Sequence, residues 1–245
     1  MAVSFPTNKQ AIFSRYILLI FGLLALIHLA GILVDSRLLT WSTKPLLMPM
    51  LALWFRQITR PSSQYPGMRR LVIAALLFGW VGDVCLMLTG QYSEKLFLAG
   101  LGSFLVGQLL YIRAFRLPAA LRPGALQTHQ WWWGLAAIYL AAFLWMLWPG
   151  IPPDFRIPVG LYGACLVGMV TAVFNWKGKI QAAVFFWALG GALFFLLSDS
   201  LIGLEKFRFA GQGGMLLRFT VMFTYILGQF GLAIGAASII RQPAD

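Results

Sequence analysis

The sequence has few charged residues and no long polar segment. Only 11% of its 245 residues are Asp, Glu, Lys or Arg, whereas 60% are hydrophobic. Soluble domains usually carry about 25% charged residues. Apolar stretches close to the ~20 residues that span a bilayer recur from end to end. These features exclude an ordinary soluble domain, and we predict a single polytopic transmembrane domain over residues 1–245, embedded in a lipid bilayer.

Cysteine and histidine are also scarce. The two cysteines, Cys85 and Cys165, lie inside apolar runs, so no disulfide framework is indicated. The only histidines are His28 and His129, which argues against a histidine-rich catalytic zinc site. The sequence lacks a nucleophile elbow, a Walker loop and an H-E-x-x-H motif. We therefore expect a function that needs no metal and no other cofactor.

Acidic residues number only seven, against 19 Lys and Arg residues, for a net charge of +12. The basic residues lie in short segments between apolar runs, where they set topology and contact lipid headgroups. No contiguous basic surface is present, so no nucleic-acid partner is expected. If the chain has eight spans, both termini lie on the same side of the membrane, and twelve basic residues fall on that side. The positive-inside rule then predicts cytoplasmic termini, and the short loops favour a bacterial inner membrane.

The apolar runs predict an all-α bundle of about eight transmembrane helices. Lys44, Pro45 and Pro49 interrupt the second span, and Trp176 falls at a span end, where we predict an anchor at the lipid interface. Similar polar residues on the third and fourth spans of each half suggest two related four-helix halves with a site between them. The predicted spans are Tyr16–Val34, Leu38–Phe55, Leu71–Leu88, Leu96–Phe115, Trp131–Trp148, Ile157–Trp176, Ile180–Leu204 and Leu216–Ile240.

Two of the few acidic residues, Asp83 and Asp199, lie inside predicted spans, each about five residues before the end. An aspartate costs roughly 2.5–3.5 kcal/mol at the centre of a membrane helix and less near the interface. Such residues usually face the bundle interior or a water-filled cavity. Gly79, one turn before Asp83, leaves room for a partner helix, a water or a substrate. The pair therefore predicts either a functional two-carboxyl site or interhelical hydrogen-bond anchors.

Other polar residues share helix faces with this region. Gln108 and Tyr111 are three residues apart, and Tyr225 and Gln229 are four apart, so each pair lies on one face. These side chains either join the site or form hydrogen bonds within the core. Lys44 begins the second span and has the position of a lysine that reaches toward the interface.

Five segments stand out along the chain: "TKPLLMP" (43–49), "GDVCLML" (82–88), "LLYIRAF" (109–115), "GALFFLLSDSL" (191–201) and "TYILGQ" (224–229). Together, in this order and over nearly the whole chain, they resemble the YhhN-like family, the lysoplasmalogenases. The resemblance implies hydrolysis of the vinyl ether bond of a lysoplasmalogen to a fatty aldehyde and a glycerophospho-base. It implies that Asp83 and Asp199 are the functional aspartates. Many relatives carry histidine where Gln108 stands, and glutamine cannot titrate.

The implied reaction fits two carboxyls in a low-dielectric site. One stays protonated and donates to the vinyl ether, while the other stays anionic, faces the oxocarbenium ion and accepts a proton from water. Lys44 is the candidate for the substrate phosphate, and Gln108, Tyr111, Tyr225 and Gln229 are expected to line the pocket. Two alternatives remain: a proton-coupled transporter of lipids or small molecules that uses the same aspartates, and a non-catalytic scaffold.

Overall fold

The computed structural model describes residues 8–59, 65, 67–92, 95–116, 125–209 and 212–241. These residues form nine α-helices and one 3-10 turn, and none of them lies in a strand. The predicted all-α membrane bundle is therefore confirmed. The helices are α1 (Asn8–Leu33), α2 (Arg37–Ile58), α3 (Met68–Tyr92), α4 (Lys95–Arg116), α5 (Ala125–Thr128), α6 (Trp131–Leu147), α7 (Pro153–Phe174), α8 (Ala182–Phe207) and α9 (Met215–Arg241).

Eight of these helices correspond to the eight predicted spans, and α2 differs from the rest. Seven are long and apolar enough to cross a membrane. The helix α2, which contains Arg37, Lys44 and Arg56, is missing from that set, although it continues without interruption through both internal prolines. It still buries Met48 and Phe55 completely. Packing against neighbouring helices thus holds α2 in the bundle. Prolines are tolerated in membrane helices where neighbouring helices satisfy the freed backbone groups.

Small residues bring α8 and α9 into backbone contact. A Cβ atom added to Gly231 would lie 2.7 Å from the Cα atom of Gly191, and one added to Gly235 would lie 2.5 Å from the Cβ atom of Ala188. Small residues allow this close approach in membrane bundles, where packing rather than hydrophobic exclusion drives association. The hairpin fixes Asp199 on α8 relative to Tyr225 and Gln229 on α9.

The helices α3 and α4 form a second closely packed hairpin. Gly107 lies against the carbonyl of Ala75, and the hydroxyl of Ser103 donates to the carbonyl of Phe78 at 2.6 Å. This hairpin carries Asp83 and Gln108. Between the halves, α4 packs on α7, whereas α9 packs on α1, α3 and α2. That the two halves are related stays a prediction.

The turns after α1, α6 and α8 lie at one end of the bundle, which we call the mouth end. There, Arg218 at the start of α9 forms a 3.1 Å ion pair with Asp35 in the α1–α2 turn. The opposite end holds Trp176, whose predicted role as a lipid-facing anchor is wrong. Its side chain is buried, and its indole nitrogen donates to the carbonyl of Phe115 at 2.7 Å.

Candidate active site

Asp83 is buried between three helices, with only 4% of its surface exposed. The phenol of Tyr225 on α9 donates a 2.8 Å hydrogen bond to its Oδ2 atom. On the other side, the ammonium of Lys44 on α2 lies 3.9 Å from its Oδ1 atom. A buried carboxylate needs such partners.

Two glycines make this approach possible. A Cβ atom on Gly79 would lie 3.2 Å from the amide nitrogen of Gln229 and 3.3 Å from the phenol oxygen of Tyr225. One on Gly82 would lie 2.6 Å from the ring of Phe104. The room predicted beside Asp83 is therefore filled by a partner helix, α9, and by an aromatic side chain from α4.

Asp199 is buried on the neighbouring side of the bundle and is 6% exposed. Its Oδ2 atom accepts a hydrogen bond from the phenol of Tyr162 on α7 and a 3.3 Å bond from the amide of Gln108 on α4. Asp83 is close enough to interact electrostatically with it. The structure thus brings the two predicted aspartates within electrostatic range of each other, with the ammonium of Lys44 beside Asp83.

The other predicted residues form a layer behind the carboxyls. The phenol of Tyr111 donates to the carbonyl oxygen of Gln229 at 2.7 Å, and both side chains are 1% exposed. The amide nitrogen of Gln229 also lies against Gly79, next to the phenol of Tyr225. Tyr111 and Gln229 therefore lie near the site without lining an open cavity.

Gln108 has an unusual environment. Its amide nitrogen donates to Asp199, whereas its Oε1 atom is the one buried side-chain nitrogen or oxygen among the described residues that has no hydrogen-bond partner. Leaving a buried acceptor unpaired costs about 1–3 kcal/mol. Unpaired buried groups in native proteins often await a water or a ligand.

Sequence reasoning missed Tyr162 and Tyr139. Tyr162 bonds Asp199, and the phenol of Tyr139 on α6 bonds the hydroxyl of Ser200. The sequence did contain a signal for these two tyrosines, because they lie well inside their spans, like Tyr111 and Tyr225. Interfacial tyrosines lie near span ends instead.

Two other polar residues have structural partners. Ser198, next to Asp199, is fully buried and donates to the carbonyl of Val221 at 3.0 Å. His28 is also buried, and its Nδ1 atom lies 2.9 Å from the hydroxyl of Thr43. Both residues join helices without contacting the aspartates. Among the described residues, no three His, Cys, Asp or Glu side chains cluster as a metal site would require.

Two cavities meet at the site. An apolar cavity of about 40 Å³ reaches Asp199 and Tyr162 between α4, α6, α7 and α8, and has room for about one or two waters. A larger space of about 500 Å³, which we call the vestibule, opens at the mouth end and is lined by apolar side chains together with charged ones, including Lys44. Leu86, Phe97 and Ile202 line both. The fold and these contacts define a multi-pass helical membrane protein with a buried two-carboxyl site.

The sequence profile of the YhhN family matches residues 39–236, and the chain belongs to this family. The match confirms the resemblance seen in the sequence. It includes both aspartates and every other predicted site residue.

Several curated relatives share the name lysoplasmalogenase. The chain is 29% identical to Lysoplasmalogenase TMEM86B of Homo sapiens over 197 residues, which cover 80% of this chain and 74% of the relative. It is 29% identical to Lysoplasmalogenase TMEM86A of Homo sapiens over 210 residues, covering 81% and 78%. A Lysoplasmalogenase of Mycobacterium bovis is 33% identical over 141 residues, covering 57% and 51%. No solved structure matches the chain.

Proposed function

We propose that this protein hydrolyses the vinyl ether bond of lysoplasmalogens by acid–base catalysis with Asp83 and Asp199. The observation that carries the proposal is the burial of two carboxyls within electrostatic range of each other, one of which, Asp199, lines an apolar cavity. Relatives named lysoplasmalogenase supply the substrate class. The products would be a fatty aldehyde and a glycerophospho-base.

The environments of the two carboxyls suggest different roles. Asp83 has the ammonium of Lys44 and the phenol of Tyr225 beside it, so we assign it the anionic role. Asp199 lines the apolar cavity and is the acid that protonates the alkene. Because the two groups interact, ionising both at once is unfavourable, and they share one proton.

The reaction then proceeds in four proton-balanced steps. Asp199 donates its proton to the alkene carbon remote from oxygen, and the adjacent carbon becomes an oxocarbenium ion facing Asp83. A water oxygen bonds to that carbon, and its proton passes to Asp83. The hemiacetal hydroxyl loses its proton as the glycerol oxygen gains one, and the carbon–oxygen bond breaks. Proton transfer from Asp83 to Asp199 restores the site.

Gln108 is suited to hold the attacking water. Its unpaired Oε1 atom can accept a hydrogen bond from water while its amide nitrogen keeps Asp199 in place. Glutamine does this without titrating. The role requires orientation of water rather than proton transfer, so glutamine can fill it although the family resemblance implies histidine here in many relatives.

The two spaces suggest how the lipid lies. The phosphate occupies the vestibule near Lys44, and the alkenyl chain enters the apolar cavity past Phe97. At about 40 Å³ the cavity is too small for a fatty chain, so its aromatic lining moves apart on binding. Tyr225 stays next to Asp83, with Tyr111 and Gln229 behind it. In this orientation both termini lie on the cytoplasmic side and the mouth end lies on the other.

The experiment measures aldehyde release from lysoplasmalogen by purified protein in detergent. A saturated ether lysolipid serves as the control substrate, because it has no alkene to protonate. Aldehyde release from the vinyl ether alone supports the hydrolase. Binding without turnover, together with proton-coupled uptake into vesicles, would instead support the transporter.

A further inference from the structure

The wall of the vestibule contains a histidine that the proposed reaction does not use. His28 of α1 is only 2% exposed, yet it lines the vestibule together with Lys44. Its Nδ1 atom is occupied by the hydroxyl of Thr43 on α2. The second ring nitrogen, Nε2, therefore decides what this side chain can offer to a molecule in the vestibule.

The hydrogen bonds of Thr43 indicate which ring nitrogen of His28 carries the proton. The Thr43 hydroxyl donates to the carbonyl of Leu39 at 2.6 Å, and a carbonyl can only accept. Because the hydroxyl has a single proton, its oxygen accepts from the Nδ1 atom of His28, 2.9 Å away. The neutral ring then presents its Nε2 atom as a hydrogen-bond acceptor.

We propose that His28 recognises the free hydroxyl on the middle glycerol carbon of the lysolipid, with Nε2 accepting a hydrogen bond from it. His28 is thus a specificity-determining residue, which favours lipids with this hydroxyl over lipids that carry an acyl group there. The inference rests on the proposed function for the position of the lipid. It adds a contact that the chemistry of vinyl ether hydrolysis does not itself require.

Two consecutive residues of α2 connect His28 with the reacting centre. Thr43 bonds His28, and the ammonium of Lys44 lies 3.9 Å from the Oδ1 atom of Asp83. Lys44 is also within electrostatic range of His28. In the proposed orientation the ether lies at the aspartates and the phosphate lies in the vestibule near Lys44. The glycerol carbons that join them therefore pass the wall that carries His28.

A hydroxyl group fits the polar atoms on this wall. It can donate one hydrogen bond and accept others, whereas Nε2 of His28 accepts and the ammonium of Lys44 donates. The two side chains together therefore match both functions of a hydroxyl. An ester oxygen has no proton to donate, so an acylated lipid would leave Nε2 unpaired. Sites built to bond a hydroxyl reject analogues that lack it for this reason.

The test measures binding of a saturated ether lysolipid, 1-O-alkyl-glycerophosphocholine, and of its 2-deoxy and 2-O-methyl analogues. None of them has a vinyl ether, so the result does not depend on turnover. The wild-type protein should bind the hydroxyl lipid about tenfold more tightly than either analogue, as one hydrogen bond predicts. The 2-O-methyl lipid keeps the oxygen but not the proton, so it shows whether the hydroxyl acts as a donor.

Two substitutions separate the roles of the two ring nitrogens. His28→Asn places an amide near the position of Nδ1 and has no counterpart of Nε2, so the hydroxyl and 2-deoxy lipids should bind within about twofold of each other. His28→Gln places an amide near the position of Nε2 and should keep most of the preference. Thr171→Val removes a hydrogen bond between α6 and α7, from Trp132, outside the vestibule, and should leave the preference unchanged.

A tenfold preference that persists in His28→Asn would overturn the inference. Equal binding of the hydroxyl and 2-O-methyl lipids by the wild-type protein would also overturn it, and this comparison needs no variant to fold. Absence of aldehyde release from lysoplasmalogen, with the wild-type preference for the hydroxyl intact, would count against the hydrolase alone.

Discussion

The phenol of Tyr225 on α9 donates a hydrogen bond of 2.8 Å to Asp83 on α3. The last helix of the chain therefore fixes the position of a carboxyl on the third helix. The reciprocal contact runs from Gln108 on α4 to Asp199 on α8, at 3.3 Å. Each aspartate is thus held by a polar side chain from the other half of the chain. Movement between the two hairpins would therefore disturb both carboxyls together.

Replacing either carboxyl by its amide should abolish the reaction. Asp83→Asn and Asp199→Asn each remove a proton donor or acceptor that general acid–base catalysis requires, and turnover should fall at least about 100-fold. Aldehyde release at saturating lysoplasmalogen measures the effect, with Asp154→Asn as the matched control. Binding of a saturated ether lysolipid should persist in both variants. Turnover within tenfold of wild type in either variant would remove the two-carboxyl mechanism.

The two tyrosines missed by sequence reasoning should differ in importance. Tyr162→Phe removes a hydrogen bond to Asp199, which leaves the acid less well oriented, and kcat should fall about tenfold with little change in KM. Tyr139→Phe removes the same kind of group, but its partner is Ser200. Its kcat should stay within about twofold. Equal losses in the two variants would mean that contact with Asp199 is not what matters.

The two aspartates and Lys44 could be predicted from the sequence because charge inside an apolar span is costly and therefore conspicuous. Gln108, Tyr111, Tyr225 and Gln229 followed from helical spacing. Whether these seven residues act as proposed stays a prediction, although the structure brings them together.

The remaining site residues depend on which helices are neighbours. Tyr162 contacts Asp199 only because α7 packs beside α8, and spans that are apolar on every face carry no periodic signal of their partners. Trp176 shows the same limitation. Its position at a span end indicates an interface, whereas its burial depends on packing against the end of α4.

Gln108 offers a test of the water-holding role. Gln108→Leu removes both the donor to Asp199 and the unpaired acceptor, and turnover should fall about tenfold or more. Gln108→His keeps one donor and one acceptor on the ring and should retain more activity than Gln108→Leu. Steady-state kinetics of aldehyde release compares them, with thermal unfolding as the folding control. Full activity in Gln108→Leu would show that the unpaired oxygen has no part in catalysis.

Two adjacent glycines on α8 test how the site is held together. A Cβ atom on Gly191 would lie 2.4 Å from the backbone nitrogen of Leu232, whereas one on Gly190 would meet nothing within 4 Å. Gly191→Ala should therefore push α8 from α9 and cost about 1–3 kcal/mol of stability. Gly190→Ala should be neutral or stabilising by up to about 1 kcal/mol, because alanine is the better helix former.

Thermal unfolding in detergent compares the two glycine variants directly. Turnover should fall in Gly191→Ala and not in Gly190→Ala, since the α8–α9 contact sets the position of Asp199 relative to Tyr225. The two variants control for each other, because the same methyl group is added at adjacent positions of the same helix. If both variants unfold at the same temperature, close backbone packing between α8 and α9 is not what positions the site.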